Sequence, residues 1–141
     1  MDKARNYLAL ARKAGLAELG EEPVGAAARA GKAHLIVVAS DASDHTWRRA
    51  KSFAAGTTQQ CLRLPYTKDQ LGETIGRDSL AIAAITDPAM ALALAQSLEQ
   101  PEKYQEVIGV LTEKTQRIKK RQQEEKAHRR NVRMGKKKVR K

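Results

Sequence analysis

Cysteine is nearly absent. Cys61 is the only one in 141 residues, which excludes an intrachain disulfide and a cysteine-based metal site. Histidine is sparse as well. His34, His45 and His128 have no carboxylate or cysteine partner at ligand spacing, so they read as ordinary core or surface residues, and no metal is expected. No apolar run approaches the ~20 residues of a membrane-spanning helix. Met1 to Gly15 is amphipathic and charged, unlike a secretory leader. The expectation is a soluble, cytoplasmic protein with no membrane partner. Aromatic residues make up only 4% of the sequence. The single tryptophan, Trp47, shares a helical stripe with Ala50 and Ala54 and reads as core, not as a base-stacking platform. No internal repeat is visible.

Catalytic patterns are missing too. Ser40, Ser43 and Ser79 lack a nucleophile-elbow context. Asp41, Asp44 and Asp87 stand at expected helix starts, where capping explains them. Gly25 to Lys32 invites a phosphate-loop reading, but five residues separate its glycines and Ala33 follows the lysine. That loop needs four, followed by Ser or Thr. No catalytic residue and no cofactor follow, and the chain reads as non-enzymatic.

Positive charge is what the sequence has in excess, and it is localised. Residues 1–100 carry 12 Lys+Arg against 11 Asp+Glu, whereas residues 101–141 carry 15 against 5. The formal net charge of +11 therefore belongs to the tail. Such a balance implies a polyanion as partner, with nucleic acid the foremost class. By charge, the candidate phosphate contacts are Lys119, Lys120, Arg121, Arg129, Arg130, Arg133, Lys136, Lys137, Lys138, Arg140 and Lys141.

The first hundred residues are organised around Gly20 to Ser43. Pro23 fits the first turn of a helix, Val24 to Ala30 is alanine-rich, and Gly31 stops it. His34 to Val38 is a short β-branched run bounded by turn residues, the mark of a buried strand. Ahead of this unit, Asp2 to Ala14 reads as a helix capped by Asp2, and Leu16 to Leu19 as a short strand. Beyond it, Ser43 caps a helix running to Ala55, and Cys61 to Leu64 alternates like an edge or half-buried strand ended by Pro65. Thr67 and Gln70 have capping-box spacing. Leu80 to Ile85 is a second buried strand, and Asp87-Pro88 opens a helix to about Leu98. This alternation predicts an α/β fold, a three-layer α/β/α sandwich with a mixed sheet of about four strands, in which 34–38 and 80–85 are central.

The pattern breaks at Glu99-Gln100-Pro101-Glu102. The organisation expected is a domain over 1–98, a linker over 99–103 and an amphipathic helix over 104–118. Tyr104, Val107, Ile108, Leu111 and Ile118 carry the apolar stripe of that helix. A basic arm follows over 119–141, too polar to supply a core, and is expected to be a disordered arm or a solvated helix that frays.

Leu10 to Gly15 (LARKAG), the Gly20 turn, Gly31 to Ser43 (GKAHLIVVASDAS), Asp69 to Gly76 (DQLGETIG) and Ala81 to Asp87 (AIAAITD) occur in an order that resembles the ribosomal protein L-seven-Ae/L-thirty-e superfamily, and within it the small bacterial ribosomal-protein-like members. The resemblance covers residues 3–98. It implies an α/β/α sandwich that binds RNA, typically kink-turns, without catalysis. It also implies an RNA contact at Gly20, Glu21 and Glu22, and a second at the loop Arg77, Asp78, Ser79 and Leu80. On the family's Gly-x-Asn-Glu-x-x-Lys motif, Gly20 matches, while Glu22, Pro23 and Ala26 replace the Asn, Glu and Lys. Glutamates at a helix N-terminus compete for its positive end and repel phosphate. Kink-turn recognition is therefore expected to be weakened, altered or absent.

The sequence-based expectation is a non-enzymatic RNA-binding protein of a ribosome or other ribonucleoprotein. Ribosomal RNA is its foremost target, and ribosomal or other ribonucleoprotein components are further partners. The domain supplies shape recognition and the tail affinity. The alternative is a protein-interaction module of a ribonucleoprotein that has lost kink-turn recognition.

Overall fold

Local signals place most element boundaries. A computed structural model describes residues 3–139, with side chains as far as Val132. The Asp2 cap lies outside the described residues. Helix α1 (Lys3–Lys13) leads through Gly15, at φ 73°, into strand β1 (Ala17–Leu19). Helix α2 (Glu21–Arg29) starts one residue after Gly20, and Gly31 at φ 71° ends its last turn as a left-handed residue. Strand β2 (Leu35–Val38) is buried along its whole length, and Ser43 caps α3 (Asp44–Ala54) by accepting from the Thr46 amide. Strand β3 (Gln60–Arg63) precedes α4 (Lys68–Thr74). There the capping box forms as spaced: Thr67 Oγ1 accepts from the Gln70 amide, and Gln70 Oε1 from the Thr67 amide. Strand β4 (Ile82–Ile85) follows, and Asp87 caps α5 (Pro88–Ser97) with Pro88 in its first turn.

The sheet is mixed, in the order β1-β4-β2-β3. β4 runs antiparallel to both neighbours, with Ala84 opposite Glu18 on one side and Ile36 on the other, while β2 and β3 are parallel. The two strands expected to be central are central. The residues before them, His34 and Leu80-Ala81, are connections and not strand. Helices α2 and α3 cover one face; α1, α5 and the last helix cover the other, which gives the three-layer sandwich.

The C-terminal region departs from the expected division. Helix α6 (Gln105–Val139) is one continuous helix of 35 residues, about 52 Å long at 1.5 Å per residue, with no break at 118. Residues 119–139 thus take the helical alternative. Its first part belongs to the domain: Tyr104, just before it, is 5% exposed, Leu111 is fully buried, and the helix packs along α5. The core accordingly extends past residue 98, to Thr115. The stripe stops there, because Ile118 is 40% exposed and every residue from Gln116 to Val132 is exposed.

Candidate nucleic-acid interface

Strand direction sorts the surface into two ends. β1, β2 and β3 run the same way, so the helices that follow them, α2, α3 and α4, all begin at one end of the sheet. The Gly20 amide donates to the Ile82 carbonyl at 3.0 Å, and the Ala39 amide to the Ala81 carbonyl at 2.9 Å. The Gly20 turn and the segment entering β4 are thereby brought together. Gly20 sits at φ 96° and ψ 162°, a conformation open to glycine, and it offers no side-chain cap to α2.

The chemistry of this end is mixed and carboxylate-rich. Glu21 binds Arg49 of α3 at 2.6 Å, and the Arg49 guanidinium lies 5.2 Å from the Phe53 ring centroid. Glu22 is exposed beside the same helix start. Asp41 Oδ1 accepts from the Lys68 amide at 2.8 Å, and Asp44, Asp69 and Asp78 are exposed nearby, with Arg5, Arg48, Lys68 and Arg77 as further cations. Oriented helix N-termini attract anions, but here their field is already answered by side-chain carboxylates.

The loop Arg77–Leu80 is held tightly. The Arg77 amide donates to the Gly72 carbonyl at 2.8 Å and the Leu80 amide to the Lys68 carbonyl at 2.9 Å. A Cβ on Gly72 would stand 2.6 Å from the Ser79 backbone, so only glycine permits this approach. Arg77, Asp78 and Ser79 are exposed, whereas Leu80, which the resemblance placed among the RNA contacts, is 3% exposed and anchors the loop in the core. Leu80 cannot meet an unstacked base.

The opposite end is the cationic one. Helices α1, α2 and α3 finish there, with Arg12, Lys13, Arg29 and Lys32 exposed at or just past the last turns of α1 and α2. Sequence reasoning missed these four; the signal was local, since cations favour helix C-termini. Helix α6 runs toward this end. Tyr104 Oη donates to the Arg63 carbonyl at the far end of β3, while ten residues later Lys114 Nζ meets His34 Nδ1 at 3.2 Å, at the start of β2. The basic half of α6 therefore leaves the domain beside Arg12, Lys13, Arg29 and Lys32, away from the three helix starts.

The Lys114–His34 contact ties α6 to the domain at that exit. Burial lowers the His34 pKa, the neighbouring Lys114 lowers it further, and Asp87 opposes; burial likewise lowers that of Lys114. Beyond this point Arg117 pairs with Glu113 and Arg129 with Glu125, one turn apart along the exposed helix. Lys119, Lys120, Arg121 and Arg130 are exposed with the helix open on all sides. The side chains of Arg133, Lys136, Lys137 and Lys138 lie outside the described residues, as do Arg140 and Lys141 altogether.

Trp47 packs against the core as its stripe indicates, but from the rim. It is half-buried, and the Arg63 guanidinium sits 4.9 Å from its ring centroid. Among the described residues, no group of three or more His, Cys, Asp or Glu is placed to hold a metal, and no helix is long and apolar enough to cross a membrane.

An α/β/α sandwich with a mixed four-stranded sheet and a long basic helix is thus the class these features define. No protein-family model and no curated protein matches the chain. Solved structures do share the fold. A protein of unknown function from Bacillus halodurans superposes with a TM-score of 0.66 at 24% identity, over 71% of this chain and 100% of its own. A 15.5 kDa RNA-binding protein from Giardia lamblia superposes with a TM-score of 0.56 at 16% identity, over 70% of this chain and 84% of its own. The shared part is about the length of the sandwich.

Proposed function

We propose that this protein is a non-enzymatic RNA-binding protein of the cytoplasm, associated with the ribosome or another ribonucleoprotein, and a divergent member of the L-seven-Ae/L-thirty-e superfamily. The observation that carries the reading is the second half of α6: from Gln116 to Val132 it is wholly exposed, with seven Lys and Arg against two Glu. A helix with no apolar face and such a charge excess has little to gain from protein packing and much from phosphates. The Giardia RNA-binding protein, sharing the fold, supports the same ligand class. The A-form major groove is too narrow and deep for side-chain reading. The helix therefore lies along RNA backbones or in a groove widened by a bulge or internal loop, with little base preference. Ribosomal RNA, long and rich in such irregular helices, is the proposed target.

Kink-turn recognition at the Gly20 end is a lesser contributor, because Glu21 and Glu22 stand where phosphate would approach and Leu80 is buried. The stripe that a protein-docking reading would use is occupied within the chain, since Tyr104 and Leu111 pack into its own core. The test is filter binding of a structured ribosomal RNA fragment to the full chain and to a chain ending at Thr115, across a salt series. The full chain should bind at least about a hundredfold more tightly at low salt, with log affinity falling steeply against log salt. Equal binding by the two chains would overturn the reading.

A further inference from the structure

A groove of about 410 Å³ runs along the free edge of β3, between α3 and the start of α6. Trp47, Cys61, Arg63, Lys103 and Tyr104 line it, and no carboxylate does. Cations and aromatic rings are interleaved here: Arg63 lies 4.9 Å from the Trp47 centroid, and Lys103 lies 5.4 Å from that of Tyr104. Arg63 is the anomaly. Its Nε and Nη2 are buried and have no hydrogen-bond partner among the described residues. A buried donor without an acceptor costs free energy, and a charged one more than a neutral one. Nε and Nη2 form the side of the guanidinium that receives two oxygens at once, as in phosphate recognition.

We propose that this groove is a nucleotide-binding site, taking one unstacked nucleotide of single-stranded RNA, with its phosphate on Arg63 and Lys103 and its base against the half-buried Trp47 ring. The inference rests on the RNA-binding reading but concerns a surface that reading does not use. A peptide adding as a strand to β3 fits less well, because the Tyr104 hydroxyl already occupies the Arg63 carbonyl and α6 packs against this strand. The groove also reaches Ser40 and Pro65 at the end where α3 and α4 begin.

Trp47 and Cys61 are the only tryptophan and the only cysteine, so each reports on this groove alone. The full chain is titrated with a mixed-sequence RNA pentanucleotide, with inorganic phosphate and with hexaglutamate, following Trp47 fluorescence and the rate of Cys61 alkylation. The pentanucleotide should quench Trp47 and slow alkylation severalfold, with phosphate acting only at far higher concentration. Arg63→Lys, which keeps charge but loses the fork, should weaken the pentanucleotide about tenfold. Lys103→Gln, an exposed change that leaves the core intact, should weaken it severalfold. Retention of structured RNA with Trp47 and Cys61 unaffected by the pentanucleotide would overturn the groove site while leaving RNA binding by α6 standing. Quenching by hexaglutamate at concentrations where the pentanucleotide is silent would overturn it in favour of an acidic protein partner.

Discussion

At one end of the sheet the chain starts α2, α3 and α4 and sets Glu21, Glu22, Asp41 and Asp44 beside them. At the other it finishes α1 and α2 with Arg12, Lys13, Arg29 and Lys32 and sends out the basic half of α6. Each end obeys the same rule, that side-chain charge complements the helix dipole. The consequence for function is opposite. Where carboxylates answer the dipole, the field that would draw a phosphate is spent; where cations do, it is supplemented by the emerging helix. A sandwich that presents its helix starts to RNA and one that presents its helix ends can share every strand and still approach the ligand from opposite sides.

The largest effect expected of side-chain substitutions tests that polarity. Changing Arg12, Lys13, Arg29 and Lys32 together to Gln should lower affinity for structured RNA by about one to two orders of magnitude at low salt. The slope of log affinity against log salt should flatten by up to ~0.9 for each phosphate no longer neutralised. Changing Glu21 and Glu22 to Gln should change affinity by less than about threefold. If the glutamate pair has the greater effect, the RNA sits on the helix-start end and the polarity is the reverse of the one drawn.

Gly72→Ala probes how far the helix-start end depends on close backbone approach. The new Cβ would meet the Ser79 backbone at 2.6 Å, and neither partner can move without disturbing the bonds that hold Arg77 and Leu80. A loss of about 1–3 kcal/mol in urea unfolding is expected, with altered amide signals at Arg77–Leu80 and RNA affinity nearly unchanged. A substitution as stable as the parent would show that the loop is not clamped as described.

A smaller effect lies at the exit of α6. The folded His34 pKa is below its ordinary value, so the unfolded chain binds the extra proton first as pH falls. Stability from this contact is therefore complete above the ordinary histidine range of about 6.5 and declines as pH drops through it. Lys114 reinforces the sign, since protonated His34 would face a second cation at 3.2 Å. His34→Gln should make urea midpoints flatter between about pH 7 and pH 5. Unchanged pH dependence would mean that the contact does not couple to folding. The least effect is expected of Glu21→Gln, because an ion pair with both side chains 40–47% exposed contributes ~1 kcal/mol or less.

Features that depend on a few adjacent residues were legible in the sequence. Ser43, the Thr67–Gln70 box and Asp87-Pro88 cap their helices as spaced, and Gly15, Gly31 and Gly76 adopt positive φ where helices stop. The central positions of β2 and β4 followed from unbroken apolar runs that only a doubly covered strand can hide. Trp47 packs against the core as its stripe indicated, but a helical stripe gives a direction and not the cation waiting across it; Arg63 comes from a strand sixteen positions on. Leu80 was carried over as a contact because a motif records position in the chain, whereas its side chain answers to the core.

By itself, the sequence determined the caps, the alternation of helices and strands, the two buried strands and the confinement of excess charge to the last forty residues. Those are consequences of local hydrogen bonding, periodicity and composition, which need no knowledge of distant partners. Only the tertiary structure decided which way α6 crosses the sheet. That direction depends on Tyr104 reaching Arg63 and Lys114 reaching His34, contacts between residues 41 and 80 positions apart. It places the basic helix at the end opposite the three helix starts, and no spacing within the helix itself could have specified that.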